Sequence, residues 1–264
     1  MTDAVENYLR DGILKLRLRE RIPFMQSAFE VATKNSGETR TVAMIALTIL
    51  FEKFPLDPAY ETFMAKGDAR FTDTMTDDLA LQKVCHDWKH AGETEQLNAL
   101  QRIGLLCDKA YSTCHFGFET PARYILYRNP DSRKFSSYED GGIRFNIAKP
   151  EWKNFQEVMR NMAHEKRHHH VDQIKTAYTQ RRLQKGSLLF KQARRFARLV
   201  DAKGHRLYIE PHIDFNAYLL HPEERDCRVA ENAGRHAARR LLNAVRPETP
   251  SSWIPTWSAF ALSS

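Results

Sequence analysis

The chain has 264 residues, enough for one large domain or two small ones, and its apolar (42%) and charged (28%) fractions exclude wholesale disorder. A formal net charge of +7 favours acidic partners such as nucleic acid, an anionic membrane or an acidic protein surface, without choosing among them. Four cysteines, Cys85, Cys107, Cys114 and Cys227, form no CxxC pair and do not make a disulfide framework, which points to a reducing compartment.

The chain opens with no basic start followed by an apolar run. Its most apolar stretch, Val42 to Phe51, is too short to cross a bilayer. The expectation is a cytoplasmic protein with no membrane span, although signal-free export leaves no trace in a sequence. Three regions are expected: a helical N-terminal region (1–118), a mixed region (119–246) and an irregular tail (247–264).

The first region reads as successive helices. Asp3 to Leu18 is amphipathic. Pro23 suits the first turn of a second helix through Thr33, and Asn35-Ser36-Gly37 is a turn. Glu38 to Lys53 repeats Val42, Ile45, Ala46, Ile49 and Leu50 at helical spacing. Pro55 and Pro58 mark a break. Thr76 is placed to cap a helix through Trp88, and Glu93 to Ala110 forms another. By itself this part reads as a helical bundle without chemistry.

Near residue 120 the pattern changes. Arg123 to Arg128 is rich in β-formers, and Asn129-Pro130-Asp131-Ser132 is a turn signal. After Gly141-Gly142, the run Ile143 to Ile147 alternates with period two. From Pro150 a helical pattern runs to about Leu183. Ser187 to Val200 is a basic amphipathic helix stopped by Gly204. Leu207-Tyr208-Ile209 looks extended, and Pro222 begins a last helix through about Val245. The tail holds three prolines with Trp253 and Trp257, a segment suited to covering an apolar patch. The fold class expected is α+β: mainly helical, with a small sheet beside one long helix.

That long helix carries His164-Glu165-Lys166-Arg167-His168, the pattern HExxH. Positions i and i+4 lie about 40° apart around a helix and one turn apart along it. Two imidazoles so placed can converge on one tetrahedral Zn²⁺. Glu165 then sits beside the metal, where its carboxylate can take a proton from a zinc-activated water. The run His168-His169-His170 also suits a plain solvated face, but the helix is amphipathic and follows a strand, which favours the metal site.

With this motif and this order of elements, residues 120–245 resemble the zincin metallopeptidases. The resemblance implies a small sheet with an edge strand, the HExxH helix, and a later helix bringing a third zinc ligand. The extended HExxHxxGxxH pattern is absent, since Val171 and Ile174 stand at its glycine and third-histidine places, and the inverted HxxEH is absent too. Instead Pro222-Glu223-Glu224-Arg225-Asp226-Cys227 resembles the P-x-E-x-D-A segment of short gluzincin-like proteins. By that match Glu224 is the third ligand and Cys227 packs where a small residue stands. Glu223, His221 and Asp226 remain candidates beside it, and acids in a first helical turn also simply suit the helix dipole.

The resemblance places Asp172 or Glu231 as the carboxylate that receives a ligand imidazole's second N–H. Thermolysin-like enzymes carry an acid four residues after the ligand glutamate, where this chain has Arg228. Tyr218, His212 and His236 are candidates to donate a hydrogen bond to the oxyanion of the tetrahedral intermediate. The strand Ile143 to Ile147 is the expected edge on which an extended peptide pairs. The reading is therefore a zinc-dependent metallopeptidase acting on a protein or peptide. The alternative is a basic nucleic-acid-binding or regulatory protein that grips an acidic partner or nucleic acid through residues 181–206 and keeps a non-catalytic metal site.

Overall fold

The computed structural model describes residues 2–112, 121–200 and 206–244. Gly204, Cys114 and the tryptophan tail lie outside them. The architecture is α+β: ten α-helices, one short 3₁₀ helix (Pro150–Lys153) and one three-stranded sheet among the described residues. The helices are α1 (Thr2–Lys15), α2 (Leu18–Lys34), α3 (Gly37–Glu52), α4 (Pro58–Thr76), α5 (Leu79–His86), α6 (Glu93–Ser112), α7 (Phe155–Thr179), α8 (Leu188–Phe196), α9 (Phe215–Leu220) and α10 (Pro222–Ala244). The strands are β1 (Arg123–Tyr127), β2 (Ser136–Glu139) and β3 (Gly142–Asn146).

Local chemistry explains where the helices begin and end. Pro58 opens α4 behind Asp57, whose carboxylate accepts from Ala59 N at 3.0 Å. Thr76 is the last residue of α4, not a cap, because its hydroxyl bonds back to Thr72 O at 2.8 Å. The cap of α5 is Asp78, accepting from Leu81 N at 3.1 Å. Pro23 falls inside α2, which starts earlier, where Glu20 accepts from Arg17 N at 2.8 Å. Asn154 caps α7 through Gln156 N at 3.0 Å. The far end of α7 closes as a Schellman turn: Arg181 takes φ +58° and Arg182 N–H reaches back to Ala177 O at 2.8 Å. That stop comes before the expected Leu183.

The sheet order is β1-β3-β2, with β1 parallel and β2 antiparallel to the central β3. β3 is therefore not the edge. Its Ile143 and Phe145 are fully buried, and the edge on the β2 side belongs to Ser136–Glu139. In the antiparallel register Ser136 faces Phe145 and Tyr138 faces Ile143. Asn146 N donates to Phe135 O at 2.8 Å, which makes residues 135, 137 and 139 the hydrogen-bonded partners of β3. The main-chain groups of Ser136 and Tyr138 consequently point away from β3, onto the edge that pairs with no described strand.

The expected boundary at 118/119 lies outside the described residues. One continuous apolar cluster runs from Ile13 to Leu241 and holds Tyr60 and Phe71 of α4 together with Met159 of α7 and Ala237 of α10. The central contact is α7 against α10. It is close because Gly234 has no side chain: a Cβ there would stand 2.4 Å from Met159 O. No described helix is long and apolar enough to cross a membrane.

Candidate metal centre

The HExxH residues lie in the middle of α7, on the face turned toward β2 and the start of α10. His164 and Glu165 are buried, and His168 is partly so. The helical spacing brings the two rings together edge to face, with centroids 4.8 Å apart and Nε2 atoms 3.1 Å apart. Two imidazole nitrogens this close either share a hydrogen bond, one ring donating and the other accepting, or face a common metal ion.

α10 supplies the opposing carboxylate. Pro222 begins the helix, and His221 caps it by accepting from Glu223 N through Nδ1 at 3.3 Å. This turn presents Glu224 to the histidines. Its Oε2 is 3.4 Å from His164 Nε2 and its Oε1 is 3.4 Å from His168 Nε2. Glu224 is almost fully buried, and Oε2 has no hydrogen-bond partner among the described residues. Two imidazoles and an orphaned carboxylate oxygen around one point suit a Zn²⁺ ion, whose usual ligands they are. The sulfur of Cys227, one turn after Glu224, also comes within 4.8 Å of both ring nitrogens.

The electrostatics agree with a site made for positive charge. Burial works against a charged His164, but the carboxylates of Glu224 and Glu231 outweigh it and hold the ring's pKa at about 9. Burial likewise works against an ionised Glu224, and the two imidazoles overcome it, leaving the carboxyl well below its ordinary range.

Of the two acids expected behind the ligands, the structure brings one. Glu231, two turns along α10, meets His164 Nδ1 at 2.9 Å. Asp172 instead receives a hydrogen bond from Tyr138 Oη at 2.9 Å, so it ties α7 to β2 and opens onto a neighbouring hollow. Asp172 lies one turn beyond His168, level with Tyr138 rather than with the rings.

Glu165 is oriented by Ser136, whose hydroxyl donates to its Oε1 at 2.7 Å. The histidines, Glu165, Glu224 and β2 line a cleft of about 470 Å³. Tyr218 on α9 forms part of its wall, and burial with the nearby Glu224 carboxylate raises its hydroxyl pKa and keeps it protonated. His212 sits in an exposed turn and His236 is exposed further along α10; neither lines the cleft. Three residues that compete with Glu224 for the place of third ligand are engaged elsewhere. Glu223 pairs with Lys175 at 2.9 Å and Arg206 at 2.7 Å. Asp226 accepts from Tyr60 and Arg167, and His221 is a helix cap against Phe51.

Several wall residues carry no sequence signal. Ser136 belongs to a short polar strand. Arg206 lies 4.5 Å above the Tyr208 ring and 3.7 Å from Glu224. The basic stretch is partly consumed by such internal contacts: Arg195 bonds Pro55 O at 3.1 Å and Arg206 pairs with Glu223, while Lys191 and Arg194 stay exposed. Comparison with known proteins yields no relative for this arrangement: no family model, no curated protein and no solved structure matches the chain.

Proposed function

We propose that the chain is a zinc-dependent metallopeptidase with its metal on His164, His168 and Glu224, as the zincin resemblance implies. The observation that carries the reading is the convergence of three donor groups, one of them an orphaned buried oxygen, beside a carboxylate that is not itself a ligand. Zinc bound there supplies Lewis acidity, lowering the pKa of water to about 7 and polarising a carbonyl.

The chain's own residues do the rest. Glu165, held by Ser136, takes the proton from the attacking water and returns it to the leaving amine. Tyr218 keeps its proton and can donate it in a hydrogen bond to the developing oxyanion. Glu231 holds the His164 ring with Nε2 toward the cleft. The free main-chain groups of Ser136 and Tyr138 suit an extended peptide added antiparallel to β2, which favours a protein or peptide over a small ester.

The test is Glu165→Gln in the full chain, assayed on a mixture of unstructured peptides. Turnover by the wild type and its loss in the variant, with zinc retained, supports the reading. Equal turnover in both overturns it. The nearness of Cys227 favours a second reading, a closed His₂-Glu-Cys site with a structural role. Under that reading Cys227→Ser loses zinc; under the peptidase reading it keeps both zinc and activity.

A further inference from the structure

Arg167 is a spacer residue of HExxH, yet it is among the most deeply buried charges in the protein, 2% exposed. Its Nη1 donates to Asp226 Oδ1 at 2.6 Å, and Nη2 donates to Asp68 Oδ1 at 2.9 Å and reaches Tyr111 Oη at 3.3 Å. Asp226 accepts a second bond from Tyr60 Oη at 2.7 Å. Tyr111 Oη bonds Asp68, and the guanidinium lies over the Tyr111 ring. Four helices thus meet on one side chain: α7 through Arg167, α10 through Asp226, α4 through Tyr60 and Asp68, and α6 through Tyr111.

The place of this knot matters. Arg167 stands between His164 and His168 in sequence, and Asp226 is two residues after Glu224. The planar guanidinium can hold two carboxylates at once in a fixed geometry, which a lysine cannot do. A rotation or slide of the first turn of α10 relative to α7 would stretch the Arg167–Asp226 bond. It would also carry the Glu224 oxygens off the two ring nitrogens they face.

We propose that Arg167 and Asp226 are a positioning pair that sets Glu224 opposite His164 and His168, with Tyr60, Asp68 and Tyr111 anchoring that pair to the N-terminal helices. The first hundred residues are then part of the frame of the metal site. The inference rests on the metal-site reading above. Arg167 touches neither substrate nor ligand atoms; it acts through the backbone of two helices.

The experiment measures zinc affinity by chelator competition, and the visible spectrum of the Co²⁺-loaded protein, on the full chain. Variants are Tyr60→Phe, Arg167→Lys, Arg167→Met and the double variant Arg167→Met with Asp226→Leu. Removing a supporting partner of a metal site typically weakens binding about 10–100-fold, and that loss is expected for Arg167→Met. Arg167→Lys, which keeps the charge without the fork, is expected to recover little. Tyr60→Phe, the mildest change, should weaken zinc binding about twofold to tenfold with the fold intact.

The double variant separates positioning from stability. Replacing the Arg167–Asp226 pair by apolar groups removes two of the knot's three charges and leaves Asp68 the Tyr111 hydroxyl, so its thermal midpoint should rise above that of Arg167→Met, whereas its zinc affinity and cobalt spectrum should remain those of a loosened site. If wild type binds zinc and every folded variant binds it equally with an unchanged spectrum, the positioning role is wrong while the metal site stands. If affinity returns in step with thermal stability, Arg167 only holds the fold. If the wild type itself binds no zinc, the metal-site reading fails, and this inference fails with it.

Discussion

The hydroxyl of Ser136, on the edge strand, donates to the Glu165 carboxylate at 2.7 Å and so joins the free edge of the sheet to the HExxH helix. The same hydroxyl is 3.2 Å from Asn161 Oδ1, one turn earlier on α7. Glu165 is thereby held on the side of the cleft where β2 presents its main chain. Ser136→Ala should lower kcat roughly 10–100-fold, the worth of one hydrogen bond to a charged group, and leave zinc content and KM nearly unchanged. Steady-state kinetics beside metal analysis checks this; a large rise in KM with kcat intact would mean that Ser136 acts on substrate rather than on Glu165.

Glu231 fixes the His164 ring through Nδ1. Glu231→Gln keeps a hydrogen-bonding group and removes the charge. Zinc affinity should fall about 10–100-fold, and the thermal midpoint of the metal-free protein should change little. Asp172→Asn, by contrast, should leave zinc affinity at the wild-type value, because Asp172 serves Tyr138.

Gly234 allows α10 to lie on the backbone of α7. In Gly234→Ala the new methyl would meet Met159 O at 2.4 Å and Ala163 Cβ at 2.9 Å. The helices must separate, at about 1–3 kcal/mol, readable as a lower urea midpoint. Because Glu224 and Glu231 ride on α10, zinc affinity should fall in the same variant. A midpoint equal to wild type would show that the helix pair is looser than this geometry requires.

Two buried groups at the start of α10 predict acid sensitivity of the metal-free protein. Burial, helped by Arg206, lowers the His221 pKa to about 3 from an ordinary 6.5. Between those values the unfolded chain binds a proton that the native protein refuses, so stability falls with pH across that window, by at most about 1.4 kcal/mol per pH unit. Glu223 adds to it. Burial opposes its charge, but Arg206 and Lys175 prevail and lower its pKa to about 2 from 4.5. Its contribution is present above about pH 4.5 and is lost as pH falls toward 2. His221→Asn, which can still cap the helix, should flatten the slope of urea stability between pH 6 and 4; an unchanged slope would assign the effect to other groups.

The HExxH helix is legible in the sequence because the motif is local: its five residues and their helical spacing sit in one window. Glu224 is reachable only through the resemblance, since nothing local separates it from Glu223, and the structure divides them by partner rather than by position. β2 is hidden because Ser136-Ser137-Tyr138-Glu139 is short and half polar; it is a strand only because β3 pairs with it. With β2 hidden, the edge falls to β3 on sequence grounds, although its apolar alternation marks a buried central strand. Arg167 reads as a motif spacer because its partners lie 59 and 99 residues away. For the same reason the helical first region reads as separate, although α4 and α6 close around that arginine.

A single zinc is proposed on His164, His168 and Glu224. Its most direct test is the metal content of the purified, untagged protein by mass spectrometry, wild type beside His164→Ala, Glu224→Ala and Cys227→Ser. About one zinc per chain is expected in the wild type and in Cys227→Ser, and loss in the other two. No stoichiometric metal in the wild type after zinc is supplied, or full zinc in Glu224→Ala, would contradict it.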